Sequence, residues 1–412
     1  MKSVKLSLAT IVAAGALTSV ASATPLEQAI KDVDVSGFAW IRYDSKQVKV
    51  GDDVASSNGF WKFKTQVNFK FAIDDNFYAL LGLRYENRDH SYGNERGGVV
   101  AFNKRNNEKD GAHDDTLDVN QYALGYKIGN TDILVGRQIV GSFLTADMAG
   151  TGIKIVNKDI QGLTIVGAAF DALEDDVDIG STAWGKIADG KYLYQHNLYT
   201  VQVSGSYNPV DFTVWWAQLA HVANLYGADL AAFFDINDKF GLGAHGQFAG
   251  VALNGGFKES TNDTAANTTY WALKADMKLF GLTADAGFLQ YGKKDAMSLV
   301  SLEDNGKLIK PGENLIDTTA FVGRHSYWFI TAKYDFLEKY WVGADFVSGQ
   351  TKYEEHKSND FEVVGRAGYK YNKKLSFWAW YSYSQEKLKD VDNADDLKTK
   401  TNQFRFQATY KF

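Results

Sequence analysis

Residues Glu174-Asp175-Asp176-Val177-Asp178 place four carboxylates within five positions. A hard cation such as calcium takes about 6–8 oxygen ligands, so the run has suitable donors, although it lacks EF-hand spacing. An ordinary solvated loop has the same composition. A second set of charges recurs with a period of two: Lys62, Lys64, Lys70, Arg84, Arg88, Lys274, Asp276, Lys333, Arg366 and Lys370. If these side chains share one face of a closed sheet, they either set a field that sorts ions or simply hydrate a wet interior. Enzyme chemistry is poorly provided for. The seven His are scattered and form no H-E-x-x-H motif. Ser204-Gly205-Ser206 lies mid-strand without the context of a nucleophile elbow, and no glycine-rich phosphate loop opens a helix. There is no cysteine, so disulfides, thiolate metal sites and a lipid-modified N-terminal Cys are excluded.

The elements that carry these charges read as β-strands. Trp61, Phe63, Val67, Phe69, Phe71 and Ile73 alternate with Lys62, Lys64, Gln66, Asn68 and Lys70, and a period of two puts apolar and polar residues on opposite faces. The same alternation runs from Val33 to Tyr43, from Phe77 to Arg88, from Tyr199 to Tyr207, from Trp271 to Leu279 and from Trp328 to Phe336. It returns in 361–370 and 376–384, and again in 401–412, where Phe404, Phe406, Ala408, Tyr410 and Phe412 alternate with Gln403, Arg405, Gln407, Thr409 and Lys411. Short turns are expected at 74–76, 129–130, 158–162, 208–209, 237–238, 280–281, 337–338 and 372–373. Longer polar loops are expected at 89–115, 172–192, 255–267, 293–325 and 388–399. Short connections on one side and long ones on the other suit an outer-membrane barrel of about 18 strands. Only three prolines interrupt the chain, which favours long ladders.

The N-terminus has the order of a secretory signal: Lys2 and Lys5, an apolar stretch from Leu6 to Val20, then Ala21-Ser22-Ala23. Residues 1–23 are therefore expected to be removed and 24–412 to form the barrel, with a short helical turn over 24–31. No segment approaches the length of a transmembrane helix. The net charge of −6 argues against nucleic acid as a partner.

Two arguments favour the membrane over a soluble sandwich. Aromatic residues, 14% of the chain, recur at strand ends, as interfacial girdles require. The opposite faces are rich in Lys, Arg, Asp, Gln and Ser, whose unpaired charges would cost several kcal/mol each in a dry core. Residues 139–151 are too apolar for an ordinary outer loop. They are expected to fold inward and narrow the lumen, a short cap at the rim being the alternative.

Thr24-Pro-Leu-Glu-Gln-Ala-Ile-Lys-Asp-Val-Asp-Val-Ser-Gly37, Gly150-Thr-Gly-Ile-Lys-Ile-Val-Asn157, Val342-Gly-Ala-Asp-Phe-Val347 and Ala408-Thr-Tyr-Lys-Phe412 resemble segments of the Campylobacter-type major outer membrane porins. The resemblance implies a trimer of 18-stranded barrels forming a cation-preferring diffusion pore. It also implies a structural calcium ion near the constriction, for which Asp147, Asp178 and Glu303 are similar to the family's ligands. The expected partners are outer-membrane lipid and lipopolysaccharide, two further copies of the chain, and small ions and solutes. The functional expectation is passive diffusion of ions and small hydrophilic solutes, with no enzymatic step and no required cofactor. The alternatives are an adhesin or structural anchor, and a substrate-specific channel.

Overall fold

The computed structural model describes residues 33–90, 104–105, 114–175, 178–179, 184–187, 190–389 and 396–412. The expected leader and the helical turn over 24–31 lie outside these residues. Eighteen antiparallel strands close on themselves. In chain order they are β1 (Val33–Val50), β2 (Asp53–Ala72), β3 (Phe77–His90), β4 (Asp114–Ile128), β5 (Thr131–Ile139) and β6 (Ala149–Asn157). Next come β7 (Leu163–Leu173), β8 (Leu198–Tyr207), β9 (Val210–Leu219), β10 (Ala223–Asn237), β11 (Phe240–Leu253) and β12 (Thr268–Leu279). The last six are β13 (Leu282–Tyr291), β14 (Arg324–Phe336), β15 (Tyr340–Lys352), β16 (Lys357–Lys370), β17 (Leu375–Lys389) and β18 (Leu397–Lys411). Each pairs with its neighbours in the chain, and β18 pairs with β1 from Phe38 opposite Lys411 to Val50 opposite Thr399. Closure matters because an unpaired backbone group costs several kcal/mol in hydrocarbon, and only a closed sheet leaves none at an edge.

The even strands reach the odd ones through connections of two to five residues at one end. Side chains shape several of these turns. Asp74 accepts from the backbone N–H of Asn76 at 2.8 Å and of Phe77 at 2.6 Å. Asn237 and Asn372 do the same for the residues two and three positions on. These side chains mimic a backbone turn and end one strand where the next begins. At the other end most connections are longer, although β1 turns into β2 through residues 51–52 alone. That tight turn lengthens the first hairpin: β1 has 18 residues and β2 has 20.

The two faces follow the alternation. Trp61, Leu273, Trp328 and Ile330 are exposed on the outside, Leu273 by 59%, whereas Lys64, Gln66 and Arg84 point inward and are largely covered. An apolar exterior with a polar interior reverses a soluble sandwich. Among the described residues no helix is long and apolar enough to cross a membrane; the strands make the crossing.

The interior is not uniformly wet. A buried apolar cluster lines the inner face of β7–β15 and includes Phe170, Trp215, Leu225, Tyr270, Leu289 and Phe329. Among the described residues none of β1–β3 or β16–β18 belongs to it. Half of the cylinder wall is thus covered by packed side chains, and that packing comes from the loops.

Candidate functional site

Among the described residues two loops provide most of the covering of the inner wall, and the 174–197 and 254–267 connections, also expected as polar loops, add Ile179, Leu193 and Phe257 to it. Residues 140–148, between β5 and β6, bury Val140, Phe143, Leu144 and Met148. The Phe143 ring stacks on Trp215 of β9 with centroids 5.5 Å apart, as the apolar composition of 139–151 leads one to expect. Residues 292–323, between β13 and β14, also enter and bury Leu299, Val300, Leu302, Leu308, Leu315 and Ile316. The sequence leads one to expect a polar loop over 293–325, and the burial of these side chains corrects that expectation. The loop's apolar residues are aperiodic and interspersed with Glu303, Asp304, Asn305 and Lys307, so no pattern marks a buried face.

The loops interlock through their backbones. Leu302 N–H donates to Leu144 O at 2.9 Å, and Lys307 N–H donates to Phe143 O at 2.9 Å. Gly306 permits this approach: it has φ +55°, and a Cβ there would sit 2.5 Å from Phe143 O, a conformation and a clearance that suit glycine alone. Glu303 adds the side-chain lock. One of its carboxyl oxygens accepts from Ala146 N–H at 2.9 Å and Met148 N–H at 2.8 Å.

Asp147 lies between those two donors and meets the facing wall, where Lys64 Nζ is 3.0 Å away. Burial pushes the Glu303 carboxyl up to about 8, and the neighbouring Asp147 adds to this. Burial acts the same way on Asp147, but Lys64 and a hydrogen bond from Glu303 outweigh it and hold that carboxyl below its usual value. The pair therefore holds one proton, on Glu303. Asp178 reaches the same loop and accepts from Asp304 N–H at 2.7 Å.

The far end of the second loop is anchored to β16. Glu362, fully buried, accepts from the backbone N–H groups of Glu313 (2.8 Å), Asn314 (3.0 Å) and Leu315 (3.2 Å), and from Ser382 Oγ at 2.6 Å. Arg366 bridges Asp345 of β15 at 2.5 Å and Glu313 of the loop. Tyr270 OH donates to Ile309 O at 2.8 Å. The loops are thus fastened to one side of the cylinder, and the wall formed by β18, β1, β2 and β3 faces them.

That wall is mixed in sign. Arg405 pairs with Asp44, Lys64 lies 3.8 Å from Glu86 as well as near Asp147, and Arg84 pairs with Glu174 and approaches Asp118 at 3.7 Å. Arg42 Nε donates to Gln407 at 2.7 Å, and its guanidinium interacts electrostatically with Arg405, Asp44, Glu86 and Asp304. A purely basic wall, as the spacing suggests, would set like charges directly opposite on neighbouring strands, which is destabilising. Interleaved acids relieve it.

The other charges singled out from sequence are distributed along the barrel. Lys62 and Lys70 share the inner face of β2, with their ammonium groups 5.2 Å and 4.2 Å from the ring centroids of Phe60 and Tyr78. The Arg88 side chain lies outside the described residues. Lys274 pairs with Asp276 and, at 3.2 Å, Asp285; Lys333 pairs with Asp335 at 2.7 Å. These groups and Lys370 sit toward the short-turn end, away from the loops. Arg42, Asp44, Asp304, Glu362 and Arg405 stand at the narrowing without having been singled out from sequence as site residues, and the acidic run is divided there, with Glu174 on Arg84 and Asp178 on the Asp304 N–H. Parity marks Arg42, Glu362 and Arg405 as inward, but nothing local marks their partners.

Asp147 and Glu303 come together, with Asp178 one loop away. Among the described residues no three His, Asp or Glu side chains converge closely enough to form a complete metal site by themselves.

A sequence model of the Campylobacter major outer membrane protein family matches residues 1–412. Solved structures share the fold at low identity. Acinetobacter baumannii OccAB3 is 13% identical with a TM-score of 0.69, over 92% of this chain and 100% of that one. A BenF-like porin from Pseudomonas fluorescens Pf-5 is 13% identical with a TM-score of 0.70, over 93% and 99%. The outer membrane protein opdK of Pseudomonas aeruginosa is 12% identical with a TM-score of 0.67, over 92% and 98%. No curated protein matches the chain in sequence.

Proposed function

We propose that this chain, which belongs to the Campylobacter major outer membrane protein family, is a passive diffusion channel in the outer membrane for ions and small hydrophilic solutes, with a preference for cations. Its place in the outer membrane and its barrel follow from the family. The observation that carries the functional reading is the half-filled lumen: loops 140–148 and 292–323 cover one side, and the charged wall of β18 and β1–β3 faces them. Loop position sets the size limit, and the charges at the narrowing set the ion preference. Most wall cations have acidic partners, Asp147 serving Lys64 among them, so the further carboxylate of Asp304 tips the balance toward cations. Residues 1–23 are read as a cleaved signal peptide, and the working assembly as a homotrimer surrounded by lipid and lipopolysaccharide. Family membership supports the trimer.

Single-channel recording in a planar bilayer tests the reading. Stepwise conductance with a reversal potential favouring cations is expected. Silent bilayers would favour an anchor, and saturable block by one solute would favour a substrate-specific channel.

Calcium is the expected structural ion, held by Asp147 and Glu303 with Asp178 nearby. The donor types fit: two adjacent carboxylates, one of which holds a proton that a divalent cation would replace. The ion would supply charge neutralisation where the loops meet. A ligand that binds only the folded state at about 100 times its dissociation constant stabilises by about 2.7 kcal/mol. A chelator should therefore lower the melting temperature by several degrees, calcium should restore it, and Glu303→Gln should abolish the difference. An unchanged melting curve would reject the site.

A further inference from the structure

The outward face of β14–β18 and β1, at the end opposite the short turns, carries lysines set directly against lysines. Lys352 pairs across strands with Lys357, Lys357 with Lys389, Lys387 with Lys398, and Lys49 with Lys400. These positions share the parity of Trp328, Phe346, Val363, Tyr381 and Phe404, all exposed on the outside, so the ammonium groups extend from the barrel's exterior beyond its apolar band. The matching outward positions on β7–β13 are Asp171, Tyr199, Gln218, Asn224, Ala252, Thr269 and Gln290, which include no Lys or Arg. Five acids among the described residues stand beside these seven lysines: Asp396, 2.5 Å from Lys387, Glu354 and Glu355 in the 353–356 turn, and Asp52 and Asp53 next to the end of β1; Asp390, Asp392 and Asp395 lie outside the described residues. Like charges directly opposite destabilise a sheet, so each lysine pair favours an anion between its ammonium groups. Below the lysines an open groove of about 560 Å³ has Trp328 and Phe361 on its floor and Gln350, Asn359, Lys352 and Lys387 along its upper edge.

We propose that this face binds the phosphorylated head of the outer-leaflet glycolipid, with its phosphates on the lysine pairs and the start of an acyl chain in the Trp328–Phe361 groove. The inference rests on the outer-membrane reading, because short turns face the periplasm and so place this rim in the outer leaflet. The chemistry agrees. Basic groups just beyond an apolar band attract anionic headgroups, and a flat groove with an aromatic floor and an amide edge suits a lipid that is apolar below and polar above. A free anion would use the lysines but not the groove.

The test uses the purified full chain in detergent, titrated by native mass spectrometry with bisphosphorylated lipid A, dephosphorylated lipid A and phosphatidylglycerol. Bisphosphorylated lipid A should bind at least tenfold more tightly than either of the others. The quadruple variant Lys357→Gln, Lys387→Gln, Lys389→Gln, Lys398→Gln should lose that preference, and the four corresponding Lys→Arg changes should restore it. Lys373→Gln with Lys374→Gln, at the short-turn end, should bind as the parent does. Equal binding of phosphatidylglycerol, full retention by the quadruple variant, or no recovery with arginine would each overturn the proposal. Conductance distinguishes this from the channel reading: the lysines face outward, so the quadruple variant should conduct as the parent does, whereas a parent that is silent in bilayers bears on the channel alone.

Discussion

Glu362→Ala should widen the channel. The carboxylate holds three consecutive backbone N–H groups of the second loop together with Ser382. Without it those donors lose their partner, at about 1–3 kcal/mol for each that stays buried, while Arg366 still holds Glu313. The loop gains by leaving the wall and letting water reach its backbone. Unitary conductance should rise severalfold and become noisy, with the barrel's β-sheet circular dichroism unchanged. Glu362→Gln retains one carbonyl acceptor and should fall between the two. Steady conductance at the parent value for the alanine variant would show that the loop is fixed by other contacts.

Raising the pH should strengthen cation preference. The Glu303 carboxyl titrates near 8, chiefly through burial, so in the absence of calcium the narrowing gains a negative charge as pH rises through that value. A unit charge about 4 Å from a passing ion is worth about 1 kcal/mol in water, or about a fivefold change in preference. Glu303→Gln, which mimics the protonated form, should give a flat profile at the weaker preference. The linked effect on stability has a definite sign. The folded state holds this proton more tightly than the unfolded state, so the contribution is fully present below the ordinary glutamate range and is lost as pH rises through about 8. A chelated sample should therefore melt at a lower temperature at alkaline pH, with the dependence removed in Glu303→Gln. A reversal potential insensitive to pH in the parent would rule out Glu303 as the titrating group.

The barrel was legible because its two solvents differ. Lipid outside and water within impose a period of two, and Trp61 beside Lys62 already states which side is which. The inward turn of 140–148 was legible from composition, since Val140, Phe143, Leu144 and Met148 have no reason to face an aqueous exterior. The second loop was not. Its burial depends on meeting Phe143 and Leu144 from a distant part of the chain, and it carries Glu303 and Asn305 into covered positions because backbone N–H groups await the first and the Thr318 hydroxyl the second. Glu362 reads as one more inward acid in an alternating strand. Its role exists only relative to residues 313–315, whose backbone leaves no trace in side-chain periodicity. The tight 51–52 turn differs from both: Gly51-Asp52 is a hairpin signal in the sequence, and Gly51 adopts φ +63° there.

The seam between β1 and β18 sets when the molecule can be finished. Arg42 and Gln407, 365 residues apart in sequence, touch across it, and Gly37 exchanges backbone hydrogen bonds with Phe412 at 3.0 Å in both directions. Contacts of such long range carry a large loop-closure cost and form slowly. Until they form, β1 and β18 each keep a raw ladder that must be shielded from other chains and from hydrocarbon. Maturation is therefore gated by the last ladder to zip, and an assembly factor that guards a bare strand would act at that seam.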